Sequence, residues 1–130
     1  MKHKTAELDG ALLDAAVAKA LGWERGSNWC SAPGKPGLLL VFGEPEEFSE
    51  EPRFAPSAVW ADGGPIIERE LIAIAFCVPD SWYAELGPSG GGIMGVQVGY
   101  ARHAGEGPKP LIAAMRAYVA SRFGDEVELP

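Results

Sequence analysis

The stretch "GPKPLIAAMRAYVASRFG", residues 107–124, constrains the fold of this chain most strongly. Five apolar residues recur there at spacings of three and four, which places them on one stripe of an α-helix. They are Leu111, Ile112, Met115, Val119 and Phe123. Pro108 and Pro110 suit the start of a helix and Gly124 suits its end. The chain must therefore supply a surface that covers this stripe.

A second helix is predicted near the N-terminus, over Gly10 to Leu21, from the sequence "LDGALLDAAVAKALG". Asp9 can accept from the free N–H groups at its start, and Gly22 suits the left-handed residue after its end. The predicted apolar stripe consists of Leu12, Ala16, Val17, Ala20 and Leu21.

The segments between the two helices predict short strands and turns. Apolar or alternating runs at 38–42, 65–79, 82–86 and 96–104 favour strands. Ser57 is expected to cap a single helical turn, Ala58 to Ala61. Because strands and helices do not alternate regularly, the pattern indicates an α+β fold. We expect a small, mainly antiparallel sheet of three to five short strands, with the two amphipathic helices packed on it.

Length and composition indicate one globular domain, residues 1–130, with an acidic loop at about 44–53 and a glycine-rich loop at about 87–95. The chain has neither a signal peptide nor an apolar run of membrane-spanning length, so a cytoplasmic protein is expected. Its net charge of −7 argues against direct binding to nucleic acid or to a membrane. Cys30 and Cys77 are expected to be reduced and buried.

No motif predicts a catalytic centre. The sequence "GGGIMG", residues 90–95, has the spacing of a dinucleotide fingerprint, but strand-like residues follow it where a helix is required. The cysteines and histidines lack the paired spacing of a zinc site, and no base accompanies Ser81, Ser89 or Cys77. We therefore expect no cofactor and no metal, and a function that is not enzymatic.

Three stretches resemble the NinX-like family of temperate phages and prophages. They are "TAELDGALLDAAVAKALG", "FAPSAVWADGGPIIERE" and "GPKPLIAAMRAYVASRFGDEVELP", and together they cover about half of the chain in the family's order. The chain departs from the family at Ala58 and Val59, where Thr and Asp are usual, and at Lys109, where Thr is common. The resemblance implies an accessory protein of a phage, without an established activity.

The central stretch "VWADGGPIIERE", residues 59–70, carries most of the candidate binding residues. One interpretation is a rigid corner between a helical turn and a strand, with Trp60 packed behind it against Ile66 or Ile67. The other is the wall of a recognition groove. Arg116 is expected to pair with Asp62 or Glu68 or, alternatively, to bind an anion. The candidate binding residues are Trp60, Asp62, Gly63, Gly64, Glu68, Arg69 and Arg116.

Three functions remain open at this point. The first is an interaction domain that binds a host or phage protein, for which the four tryptophans provide candidate contact residues. The second is a small-molecule-binding domain or small enzyme, with a pocket between the Gly63–Gly64 corner and the last helix. The third is a structural protein that forms homo-oligomers through that helix.

Overall fold

The computed structural model describes residues 2–25, 29–31, 39–41, 54–86 and 103–129. In these ranges there are three helices, α1 (Gly10–Ala20), α2 (Trp60–Glu70) and α3 (Pro110–Phe123). The strands there are β1 (Lys2–Lys4), β2 (Glu24–Arg25), β3 (Trp29–Ser31), β4 (Leu39–Val41), β5 (Ala73–Cys77), β6 (Ser81–Leu86), β7 (His103–Gly107) and β8 (Glu126–Glu128). A 3-10 turn, Thr5–Glu7, follows β1.

The predicted α+β class is confirmed, although the strands do not form a single sheet. Among the described residues they form three small antiparallel sheets, with the orders β1-β8, β2-β3-β4 and β5-β6-β7. The first sheet joins strands from opposite ends of the chain. No helix within the described ranges has the length and apolar character needed to cross a membrane.

Helix α3 is the central element of the fold. It contacts α1, α2 and the strands β5 to β8, so it is covered on several sides. Leu111, Met115 and Val119 of the predicted stripe are buried, and Tyr118 is buried as well. The helix begins at Pro110 and ends before Gly124, whose φ of 80° is accessible mainly to glycine. Its predicted bounds are confirmed.

Strand β7 approaches α3 so closely that it needs residues without large side chains. A Cβ atom at Gly105 would overlap the backbone carbonyl of Ala113 and lie 2.6 Å from the backbone nitrogen of Ala117. Both helix residues are fully buried alanines, which permit this approach from their own side. Small residues on both elements therefore bring β7 against the middle of α3, with Arg116 beside the strand.

Helix α1 has the predicted position, but its buried face is rotated. Leu13, Ala16 and Val17 are completely buried, whereas Leu12 is 38% exposed. The helix packs on α3 with Leu13 inward. Asp9 makes no side-chain capping bond, contrary to expectation, while the left-handed Gly22 after the helix is confirmed.

The expected corner at Gly63–Gly64 is wrong, because residues 60–70 form one continuous helix, α2. The single turn expected over Ala58 to Ala61 is wrong for the same reason. Gly63 and Ile66 lie three residues apart on the buried face of α2. Pro65 is accommodated inside the helix, which ends at Leu71 in the left-handed region, with a φ of 55°. Gly63 permits close packing of a helix, where the glycine pair was predicted to form a turn.

The strands after α2 agree better with expectation. The apolar run contributes β5, and residues 82–86 lie in β6, which pairs with it in an antiparallel hairpin. Cys77 was expected in the core, but it is exposed, because it lies at the end of β5 beside the turn. The predicted acidic loop, the glycine-rich loop and the strand residues 96–102 lie outside the described residues.

Candidate functional site

Two carboxylates hold the segment that leads into α2. Asp62, in the first turn of α2, accepts a hydrogen bond at Oδ2 from the backbone N–H of Ala55, at 2.9 Å. Asp14 of α1 accepts at Oδ1 from the backbone N–H of Ser57, also at 2.9 Å. Residues 55–57 are therefore fixed to two helices, and this fixes the point at which the chain enters α2, three residues before Trp60.

Sequence reasoning missed Asp14, although it is a notable charged group of the core. Its side chain is largely buried, and burial raises its pKa to about 6. Hydrogen bonds from Ser57 oppose this rise, and the nearby charge of Asp62 adds to it. A signal was present in the sequence, because Asp14 is the only charged residue between Gly10 and Ala18 in the run "GALLDAAVA".

Trp60 lies at the surface, although it was expected to pack behind the corner. It is 55% exposed, and Val59 before it is 43% exposed. Its side chain borders a cavity of about 360 Å³ at the point where α1, α2 and α3 all begin. We call this cavity the helix-end groove; it is lined in part by Gly10, Ser57, Trp60, Lys109, Pro110 and Ile112.

The helix-end groove combines apolar walls with hydrogen-bond donors. Trp60 and Ile112 contribute apolar surface, and Lys109 contributes an ammonium group. None of the three helices that begin there has a side-chain capping bond. Because the first N–H groups of a helix lack partners within the helix, the groove wall offers backbone donors. Such a surface can accept an apolar side chain that has hydrogen-bond acceptors close to it.

Arg116 lies elsewhere and does not pair with Asp62 or Glu68. Its Nε donates to the carbonyl oxygen of Leu8 at 2.6 Å, and its Nη1 donates to that of Glu106 at 2.6 Å. It lines a second cavity of about 530 Å³, formed beside β7 with Ser81, Tyr83 and Ala6. We call this cavity the arginine groove. Within the described part of the chain, the two grooves share no lining residue.

The remaining candidate residues do not converge on a pocket. Glu68 and Arg69 are exposed on α2, and neither lines the two grooves. The expected space between Gly63 and the last helix is filled, since a Cβ at Gly63 would lie 2.7 Å from Cδ2 of Leu111. Of the seven candidates, Trp60 therefore lines one groove and Arg116 the other.

An ion pair that was not predicted links α2 to α3. Nη2 of Arg122 lies 2.6 Å from Oε1 of Glu70, and this hydrogen bond raises the pKa of Arg122 above its usual value. The same guanidinium lies 5.4 Å from the ring centre of Tyr118.

Among the described residues, no group of three histidine, cysteine or acidic side chains is arranged to hold a metal ion.

Comparison with known proteins gives a family for the chain. No curated protein matches it. A family model described as "Bacteriophage P22, NinX" matches residues 4–122, which include α1, α2, all but the last residue of α3, and the described residues that line both grooves. This match covers most of the sequence and agrees with the resemblance seen in its helical stretches. The chain belongs to the protein family that is named after NinX of bacteriophage P22.

Proposed function

We propose that this NinX family member is a non-enzymatic interaction domain, which binds a host or phage protein through the helix-end groove. The observation that carries the proposal is the exposed side chain of Trp60 beside that groove. Tryptophan is enriched among the residues that dominate binding energy, and on average it is highly buried in folded proteins.

The surroundings of Trp60 support a contact of this kind. Val59 adjoins it and is also exposed, so the apolar surface extends beyond a single ring. Ile112 and Pro110 line the groove that Trp60 borders. An apolar surface with a cavity at its centre and a polar group, Lys109, at its edge has the arrangement of a protein-binding site.

The binding surface is fixed before any partner arrives. Asp62 and Asp14 hold residues 55–57 by hydrogen bonds of 2.9 Å, and only Ala58 separates these residues from Val59 and Trp60. A surface that is already ordered loses less conformational entropy on association than a flexible one. The two buried or partly buried carboxylates therefore support binding indirectly, through the position of Trp60.

The proposal is tested by capture followed by measured affinity. The tagged protein is used to isolate partners from bacterial lysate prepared with and without induced phage growth, and each captured protein is purified. Its affinity is then measured for the parent chain, for Trp60→Ser and for Val78→Ser. Val78 is a matched control, because it is 85% exposed and apolar but lines neither groove.

We expect Trp60→Ser to weaken binding by about 30-fold, as a central interface residue does, and Val78→Ser to change it less than about twofold. Circular dichroism confirms that both variants are folded. A partner that binds Trp60→Ser as tightly as the parent chain would contradict the proposal. Failure to capture any protein under either condition would also contradict it.

A further inference from the structure

Among the described residues, no acidic side chain forms an ion pair with Arg116. Its only acceptors among the described residues are the backbone carbonyls of Leu8 and Glu106. The guanidinium has five N–H groups, so three of them, including both on Nη2, have no acceptor in the described part of the chain. The other arginine of α3, Arg122, differs in this respect, because Glu70 neutralises it. A half-buried guanidinium favours a bound anion.

The position of the guanidinium is fixed. Leu8 precedes α1, and Glu106 lies in β7, so the two hydrogen bonds tie Arg116 to two separate parts of the fold. A side chain restrained at two atoms loses little further freedom when it binds a ligand. The unpaired N–H groups can therefore act as a preformed fork of donors, which is the geometry that a carboxylate matches.

The arginine groove supplies space for a ligand at this fork. Its volume of about 530 Å³ lies within the range of small-molecule sites. The ring of Tyr83 and the methyl groups of Ala6 and Ala104 offer apolar surface, and Ser81 offers a hydroxyl group. Such a groove fits a compact molecule with an apolar body and one polar end.

The charges in the groove select the kind of anion. Among the described residues that line it, Arg116 is the only cation, and Glu106 is the only acidic residue. A dianionic phosphate would find no second cation among these residues and would be repelled more strongly by Glu106 than a monoanion. A single carboxylate carries less charge and accepts two parallel N–H bonds from Arg116.

We propose that the arginine groove binds an organic carboxylate, with Arg116 as its anion-binding residue. The carboxylate is that of a free small acid or of the C-terminus of a peptide, since both present the same group. This site shares no residue with the helix-end groove, so the proposal does not depend on the protein-interaction function.

The test uses the full-length chain, labelled with ¹⁵N, in NMR titrations. The probes are benzoate, the neutral analogue benzamide, inorganic phosphate, and an acetylated tripeptide with either a free or an amidated C-terminus. The signals followed are the Nε–H of Arg116 and the backbone amides of Ala104 and Glu106. We expect benzoate or the free-carboxylate peptide to shift these signals with saturation, and the neutral analogues to leave them unchanged.

Variants keep the test informative even if replacement of Arg116 disturbs folding. Glu106→Gln removes a repulsive charge but keeps the backbone carbonyl that Arg116 uses, so it should tighten carboxylate binding about two- to fivefold. Glu68→Gln makes the same charge change on α2, outside the groove, and should leave the affinity unchanged. Arg116→Lys keeps the charge without the fork and should weaken binding at least about tenfold.

Several results would overturn the proposal. They are the absence of shifts at millimolar carboxylate, equal shifts with benzamide, tighter binding of phosphate than of benzoate, and equal effects of Glu106→Gln and Glu68→Gln. A response to benzoate alone would assign the site to free acids, and a response to the peptide alone would assign it to C-termini. Either response supports carboxylate recognition by Arg116.

Discussion

Gly63 of α2 packs directly against Leu111 of α3. A Cβ atom on Gly63 would lie 2.7 Å from Cδ2 of Leu111 and 2.5 Å from the carbonyl oxygen of Pro56. Its neighbour Gly64 has no atom within 4 Å of the corresponding position. Adjacent glycines in one helix therefore have different functions, since only the first permits the close approach of α2 to α3.

This difference gives a prediction with an internal control. Gly63→Ala should lower the free energy of unfolding by about 1–3 kcal/mol, because the added methyl group overlaps backbone that cannot move freely. Gly64→Ala should raise it by about 0.5–1 kcal/mol, since alanine favours the helix and meets no obstacle. Urea unfolding of both variants checks the prediction. Changes of the same sign in the two variants would contradict the packing described for α2.

The stability of the protein should depend on pH through Asp14. Its pKa is about 6 in the folded protein and 3.8 without the fold, so the folded state binds the proton more tightly. The contribution of this group is therefore fully present below about pH 4 and is lost as pH rises through 6. Asp14→Asn lacks this dependence but keeps an oxygen for the N–H of Ser57.

The difference in unfolding free energy between the parent chain and Asp14→Asn should therefore change with pH. From about pH 4 to about pH 7, the unfolding free energy of Asp14→Asn should rise relative to the parent chain by as much as about 3 kcal/mol. Urea unfolding at a series of pH values measures this gap. A constant gap across the series would show that Asp14 has an ordinary pKa in the folded protein.

The ion pair between Glu70 and Arg122 should contribute little stability. The side chain of Arg122 is 49% exposed, so solvent and salt screen the interaction. Glu70→Gln is expected to lower the unfolding free energy by about 0.5 kcal/mol at low salt, and by less at high salt. The exposed Glu68→Gln serves as control on the same helix. A loss that high salt leaves unchanged would be inconsistent with this screening.

Thr5 should contribute more to stability than the ion pair between Glu70 and Arg122, because Thr5 is buried. Its Oγ1 donates to the carbonyl oxygen of Gly124 at 3.0 Å, next to the pairing of β1 with β8. Thr5→Val keeps the shape but leaves that carbonyl without this donor, which should cost about 1–2 kcal/mol. Thermal unfolding measures the loss, and hydrogen exchange at Val127 should become faster. Unchanged exchange there would place the effect of Thr5 elsewhere in the fold.

The two terminal helices could be predicted because their buried positions carry apolar side chains at helical spacing. Helix α2 could not, because Gly63 occupies a buried position without contributing an apolar side chain. The sequence Gly-Gly-Pro also favours turns, and only the tertiary contact with Leu111 selects the helix. Local pattern and packing disagree at this point, and packing decides the structure.

The candidate site was predictable in part. Trp60 and Arg116 were both among the candidate residues, and each lines a groove. Their separation was not foreseeable, because backbone carbonyls hold Arg116, and such acceptors leave no trace in the sequence pattern. Asp14 escaped notice because a charged residue in an amphipathic helix is usually assigned to its solvent side.

The pairing of β1 with β8 has a consequence for biosynthesis. His3 lies opposite Val127, so β1 is synthesised long before the strand that pairs with it. Until residues 126–129 have left the ribosome, the edge of β1 lacks this partner and the core lacks Val127 and Leu129. A chain interrupted before this point has an unprotected strand edge and exposed apolar surface, so it is more prone to aggregation than the folded protein.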